Sequence, residues 1–143
     1  MSLEQIVHRL EQRVVDLGKK LVPGAAEAQW REEAERLSQA IEEHEAHAQH
    51  FSDSTKQARS RISENEVREA VLASQVETFV HTKEQGRAFP LALELEDVRR
   101  QLSDDRTRLP CDQKAYHMHR ERIAELQRRL AEVQCKLRNR ASA

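Results

Sequence analysis

The chain has 143 residues, a length that accommodates one domain. Its 24 Lys+Arg and 25 Asp+Glu make it 34% charged at net charge −1, with 38% apolar and 3% aromatic residues. Such a composition excludes a thick globular core and global attraction to polyanions, yet Leu, Ile, Val and Phe at about 22% keep it just above the disordered range. Nor does any apolar run approach the roughly 18 residues of a membrane span. The start, Met1-Ser2-Leu3-Glu4, has none of a signal peptide's apolar stretch. Cys111 and Cys135 are 24 residues apart, roughly 36 Å along one helix, too far for a disulfide. Two unpaired thiols predict an intracellular, cytoplasmic protein, with cytoskeletal association as one option.

Apolar spacing alternating three and four, the heptad pattern of coiled coils, dominates the sequence. The first predicted helix, within 1–22, carries Leu3, Val7, Leu10, Val14, Leu17 and Leu21 on one seam. Ser2 and Gln5 form a capping-box start, and Pro23-Gly24 ends the segment.

A long helix follows over 25–86. Its register runs Trp30, Ala34, Leu37, Ile41, His44, Ala48, Phe51, Thr55, Ala58, Ile62, Asn65, Glu69, Leu72, Val76, Phe79 and Lys83. The register is weak at Asn65 and Glu69, where Val67 and Val71 offer a shifted stripe. Ser63-x-x-Glu66 repeats the capping-box pattern, so a break near 63 is expected as an alternative to one continuous helix. Gly86 is the expected C-cap.

Phe89-Pro90 restarts the chain as a third helix, 90–139, followed by a tail at 140–143. Its register is Leu91, Leu95, Val98, Leu102, Asp105, Leu109, Asp112, Tyr116, His119, Ile123, Leu126, Leu130, Val133 and Leu137. It passes Pro110 without losing phase. Proline inside a helix costs about 3 kcal/mol, and two aspartates flank it on the seam, so a kink or opening is expected at 103–112. Residues 27–50 carry a net −5 and residues 114–143 a net +5. A reversal near 88 lays these stretches side by side, predicting an antiparallel hairpin.

Candidate chemistry is sparse. His44 and His47, three apart, can share a helical face and hold a zinc ion, whereas His50 points elsewhere. An imidazole packed into a small-residue interface is the favoured reading of the same cluster. Glu-x-x-His, His-Glu-x-x-His, Cys-x-x-Cys and glycine-rich phosphate loops are all missing, and neither cysteine sits in a nucleophilic constellation. The expectation is a protein without catalytic residues, cofactor or small-molecule substrate. Arg120, Arg128, Arg129, Arg138 and Arg140 form a possible contact for a filament or nucleic acid. Interleaved glutamates and the lack of aromatics favour a solvated face or hairpin partner instead.

The sequence thus predicts an all-α, elongated coiled coil: a short N-terminal helix, then a long imperfect antiparallel hairpin. Ile6, Val15, Val22, Val67, Val71, Val80 and Leu93 lie outside the registers and need cover as well. The expected function is a scaffold subunit of a hetero-oligomeric assembly, cytoskeletal, ciliary, tethering or kinetochore-like in character, built with other coiled-coil proteins rather than as a homodimer. Its partner-facing residues would be Leu3, Val7, Leu10, Val14, Trp30, Leu37, Ile41, Phe51, Leu72, Val76, Phe79, Leu95, Val98, Leu102, Ile123, Leu126, Leu130, Val133 and Leu137. The alternatives are a polyanion binder through the basic third helix and a zinc-binding helical protein through His44.

Overall fold

A computed structural model describes the backbone of residues 2–21 and 24–141 and the side chains of residues 2–14 and 24–140. Three helices account for nearly all of it: α1 (Leu3–Leu21), α2 (Ala25–His81) and α3 (Gln85–Ala141). Among the described residues there is no strand, and no helix is long and apolar enough to cross a membrane. The side chains of Val15, Leu17, Leu21 and Val22, together with Pro23, lie outside the described residues. The chain divides into two compact units, one of residues 1–43 with 122–143 and the other of residues 44–121. In each, a stretch of α2 pairs with a stretch of α3.

Helix starts follow local chemistry. The Ser2 hydroxyl accepts from the Gln5 amide at 3.3 Å, and the Gln5 side chain accepts from the Ser2 amide at 3.4 Å. This reciprocal capping box satisfies two donors that a helix start would otherwise leave free. Gly24 turns the chain into α2 at φ 81°, and its carbonyl accepts the Ala28 amide at 2.9 Å.

The reversal between α2 and α3 comes earlier than the expected corner at 86–90. The Lys83 amide donates to the Val80 carbonyl at 3.1 Å and the Glu84 amide to the Phe79 carbonyl at 2.8 Å. With Lys83 at φ 60°, these bonds form a Schellman cap, and Gly86 lies inside α3. The register explains the shift. After Phe79 the next seam slot is Lys83, so continuing α2 would aim an ammonium at the partner helix. Stopping at His81 leaves Lys83 exposed and lets Ala88, buried at 5%, open the return seam. A left-handed lysine is strained by its Cβ, so Lys83→Gly is expected to stabilise the protein by about 1 kcal/mol. A shift of the urea midpoint at constant m-value measures it.

The alternative break near 63 and the opening at 103–112 are not seen. α2 is continuous through residue 63, and Val67 and Val71 stay exposed while Asn65 and Glu69 are half-buried. A switch to the shifted stripe would rotate Ile62 and Leu72 off the seam, and the polar slots find partners instead. Asn65 Nδ2 donates to Gln101 at 3.4 Å, and Glu69 lies 4.0 Å from Arg99. α3 likewise does not open at 103–112. Pro110 is exposed, so the carbonyl it leaves without a donor can turn to water.

The unit of residues 44–121 is centred on Leu72, Leu95, Val98 and Leu102, with Ile62, Ala73, Val76 and Leu91 packed against them. In the unit of residues 1–43 and 122–143, Leu37, Ile41, Ile123, Leu126 and Val133 are buried.

Candidate functional site

Every slot of the α2 register from Trp30 to Phe79, and of the α3 register from Leu91 to Leu137, is buried or half-buried. The residues expected to face a partner on these helices are therefore covered by the chain's own opposite helix. The slots concerned are Trp30, Leu37, Ile41, Phe51, Leu72, Val76, Phe79, Leu95, Val98, Leu102, Ile123, Leu126, Leu130, Val133 and Leu137. Antiparallel pairing of α2 with α3 satisfies both seams at once.

Polar seam slots are matched across the pair. Arg61 donates twice to the Asp105 carboxylate, at 3.2 and 3.0 Å, and this bond is the main reason its guanidinium stays charged beyond its ordinary range. Ser54 donates to Asp112 at 2.8 Å. On the flanks, Arg68 pairs with Glu94, and Arg106 lies 3.0 Å from Glu66. Exposed pairs of this kind contribute little stability, but buried polar layers fix register. Thr55 is the exception: it is buried, and its Oγ1 has no hydrogen-bond partner. Thr55→Val keeps the shape and removes the unsatisfied hydroxyl. A gain of about 1 kcal/mol is expected, read as a raised denaturation midpoint.

One layer gathers aromatic nitrogen. His44 Nδ1 and His119 Nδ1 are 2.9 Å apart, within hydrogen-bond distance. His47 stacks on His119 with centroids 5.2 Å apart and planes at 23°, and Phe51 stacks on it at 5.7 Å and 16°. Among the described residues, no group of three or more His, Cys, Asp or Glu is placed to hold a metal. His119 escaped the sequence reading as a partner of His44, although both were seam slots and an antiparallel register lays residue 44 near 119.

Burial pushes the His119 pKa below its ordinary 6.5, and His44 and His47 push it further. The folded state thus binds fewer protons than the unfolded chain as the imidazole titrates. Stability contributed here is complete above the ordinary histidine range and declines as pH falls through 6.5 toward the depressed folded value. Denaturant midpoints from about pH 8 to about pH 5 are expected to drop more steeply in the wild type than in His119→Phe.

The basic stretch of α3 is largely engaged internally. In the unit of residues 1–43 and 122–143, Arg129 lies 3.5 Å from Glu125, and Arg122 donates to the same carboxylate at 2.8 Å. That bond, with the nearby guanidinium charges, holds the Glu125 carboxyl below its usual range. Arg140 lies 4.0 Å from Glu27 and 5.9 Å from the Trp30 ring, and Arg138 also has an interaction. Arg120 and Arg128 are exposed. Arginines occupied by neighbouring carboxylates make a poor polyanion surface.

α1 differs from the other helices. All its described side chains are exposed, including Leu3 at 81%, Leu10 at 56%, Val14 at 68%, Val7 and Ile6. In the unit of residues 44–121, Val67, Val71, Val80, Phe89 and Leu93 are exposed too. Cys111 and Cys135 are both free and exposed.

These features define an all-helical protein whose two long helices pack against each other as a hairpin. Comparison with protein-family models, with curated proteins and with solved structures finds no match.

Proposed function

We propose that the chain is a non-catalytic scaffold subunit of a larger helical assembly, with other helical proteins as its partners. One observation carries this reading. Once the α2–α3 seam is closed, apolar side chains remain exposed in rows at helical spacing rather than scattered singly. Leu3, Val7, Leu10 and Val14 make one row, and the i,i+4 pairs Val67–Val71 and Phe89–Leu93 extend the pattern. Rows of this kind receive the apolar face of another helix. In the unit of residues 44–121, matched polar layers hold the paired seam in one register. The pairing of Arg129 and Arg140 with neighbouring glutamates weighs against the polyanion reading.

Native mass spectrometry of the assembly purified from its cells of origin, with lysine cross-links mapped, tests the proposal. Other chains are expected at fixed stoichiometry, cross-linked through Lys19, Lys20 or Lys83. Recovery of the chain without any other protein would contradict it.

A further inference from the structure

Next to the Ser54–Asp112 layer, in the unit of residues 44–121, α2 and α3 wall a hollow of about 240 Å³. From α2 come Ser52, Lys56 and Arg59, at spacings of four and three that put them on one helical face. From α3 come Gln113, with Tyr116 and His117 three and four residues further on. Thr55 completes the lining, its hydroxyl buried and without a hydrogen-bond partner. Every one of these side chains carries a hydrogen-bond donor, two of them are cations, and no carboxylate lines the hollow.

Lys56 and Arg59 stand out in their unit. Arg61, Arg68, Arg99 and Arg106 each meet a carboxylate on the opposite helix, whereas neither Lys56 nor Arg59 has an ion-pair partner among the described residues. Like charges three apart on one helical face repel. An anion seated between them relieves that repulsion and accepts charge-assisted hydrogen bonds, roughly twice as strong as neutral ones. Size narrows the choice of anion. Sites for drug-sized ligands begin at roughly 300 Å³, so this hollow suits an ion or a small charged group. A phosphate group fits: it is compact, carries about −1.5 to −2 charge at pH 7, and offers three strong acceptor oxygens to several donors at once.

We propose that this hollow binds a phosphate group, as the free ion or as a small monoester. Lys56 and Arg59 supply the charge, and Ser52, Gln113, Tyr116 and His117 supply further donors from both helices. The site stands apart from the scaffold reading, because a small anion binds here without another chain.

Titration of the nitrogen-15-labelled full chain with inorganic phosphate, at ionic strength held constant with sodium chloride, tests this in backbone amide spectra. Amides of residues 52–59 and 113–117 are expected to shift together and saturate, with a Kd of about 1 mM. A parallel titration with glycerol 3-phosphate separates the sources. Tighter binding of the ester marks an esterified group as the ligand, tighter binding of inorganic phosphate marks the free ion, and equal affinity shows that the phosphate group alone is read. Lys56→Gln combined with Arg59→Gln is expected to weaken binding at least about tenfold. Helix content by circular dichroism is expected to stay unchanged, since both side chains are exposed. Arg108→Gln removes an exposed cation of the same unit that does not line the hollow, and is expected to leave binding as it was. Shifts that do not saturate, or that spread along the chain without favouring the hollow, would overturn the proposal. So would binding that survives the double substitution, or an equal loss in Arg108→Gln.

Discussion

Leu102→Ala is expected to destabilise the protein by about 2–3 kcal/mol, the low end of the range for leucine truncation in a core. Leu102 is 1% exposed and packs with Leu72, Leu95 and Val98, so truncation forfeits its transfer free energy and leaves a void among aliphatic side chains. The low end applies because a two-helix layer can close around a void more readily than a thick core. The matched control is Val67→Ala. Val67 is 66% exposed, and its truncation is expected to stay within about 0.5 kcal/mol. Chemical denaturation of the two variants decides which stripe faces the opposite helix. A large loss for Val67 with a small one for Leu102 would place the shifted stripe on the seam.

Ala58→Leu is expected to cost about 1–3 kcal/mol by the opposite mechanism, overpacking. Ala58 is 0% exposed, and its methyl group is what lets α2 approach α3 closely there. Polar layers lie one turn away on each side, Ser54–Asp112 and Arg61–Asp105. A larger side chain pushes the helices apart and lengthens both sets of bonds. The substitution therefore couples to its neighbours: Ser54→Ala is expected to cost less in the Ala58→Leu background than in the wild type. Additive effects would mean that the helices absorb the leucine without separating.

The seam was legible in the sequence because heptad spacing is a property of the chain itself. Trp30 to Phe79 and Leu91 to Leu137 take their places at the cover of the opposite helix in the phase their spacing dictates. What the spacing could not show was how its polar interruptions are resolved. Asn65, Glu69, Asp105 and Asp112 read as defects, because a single strand does not reveal that Gln101, Arg99, Arg61 and Ser54 face them. Neither the alternative break at residue 63 nor the opening at 103–112 occurs, and cross-helix bonds lie at both places. His119 as the partner of His44 was hidden for the same reason. The turn was misplaced because glycine is the usual left-handed residue, whereas here the seam phase, with Lys83 due next, decides where α2 stops. The exposed rows on α1 and at Val67–Val71 came from a simple surplus: more aliphatic residues than one seam can hold.

α2 and α3 of one chain cover each other, which leaves Leu3, Val7, Leu10 and Val14 of α1 exposed. An equal mixture of unlabelled and nitrogen-15-labelled chains, refolded together and treated with a lysine cross-linker, tests it most directly. Lys56 lines the same hollow as Gln113, Tyr116 and His117, beside Lys114. A hairpin closed within each chain requires Lys56–Lys114 cross-links whose two peptides always carry the same isotope. Mixed-isotope Lys56–Lys114 cross-links at the statistical frequency would show α2 paired with α3 of another copy, and would contradict it.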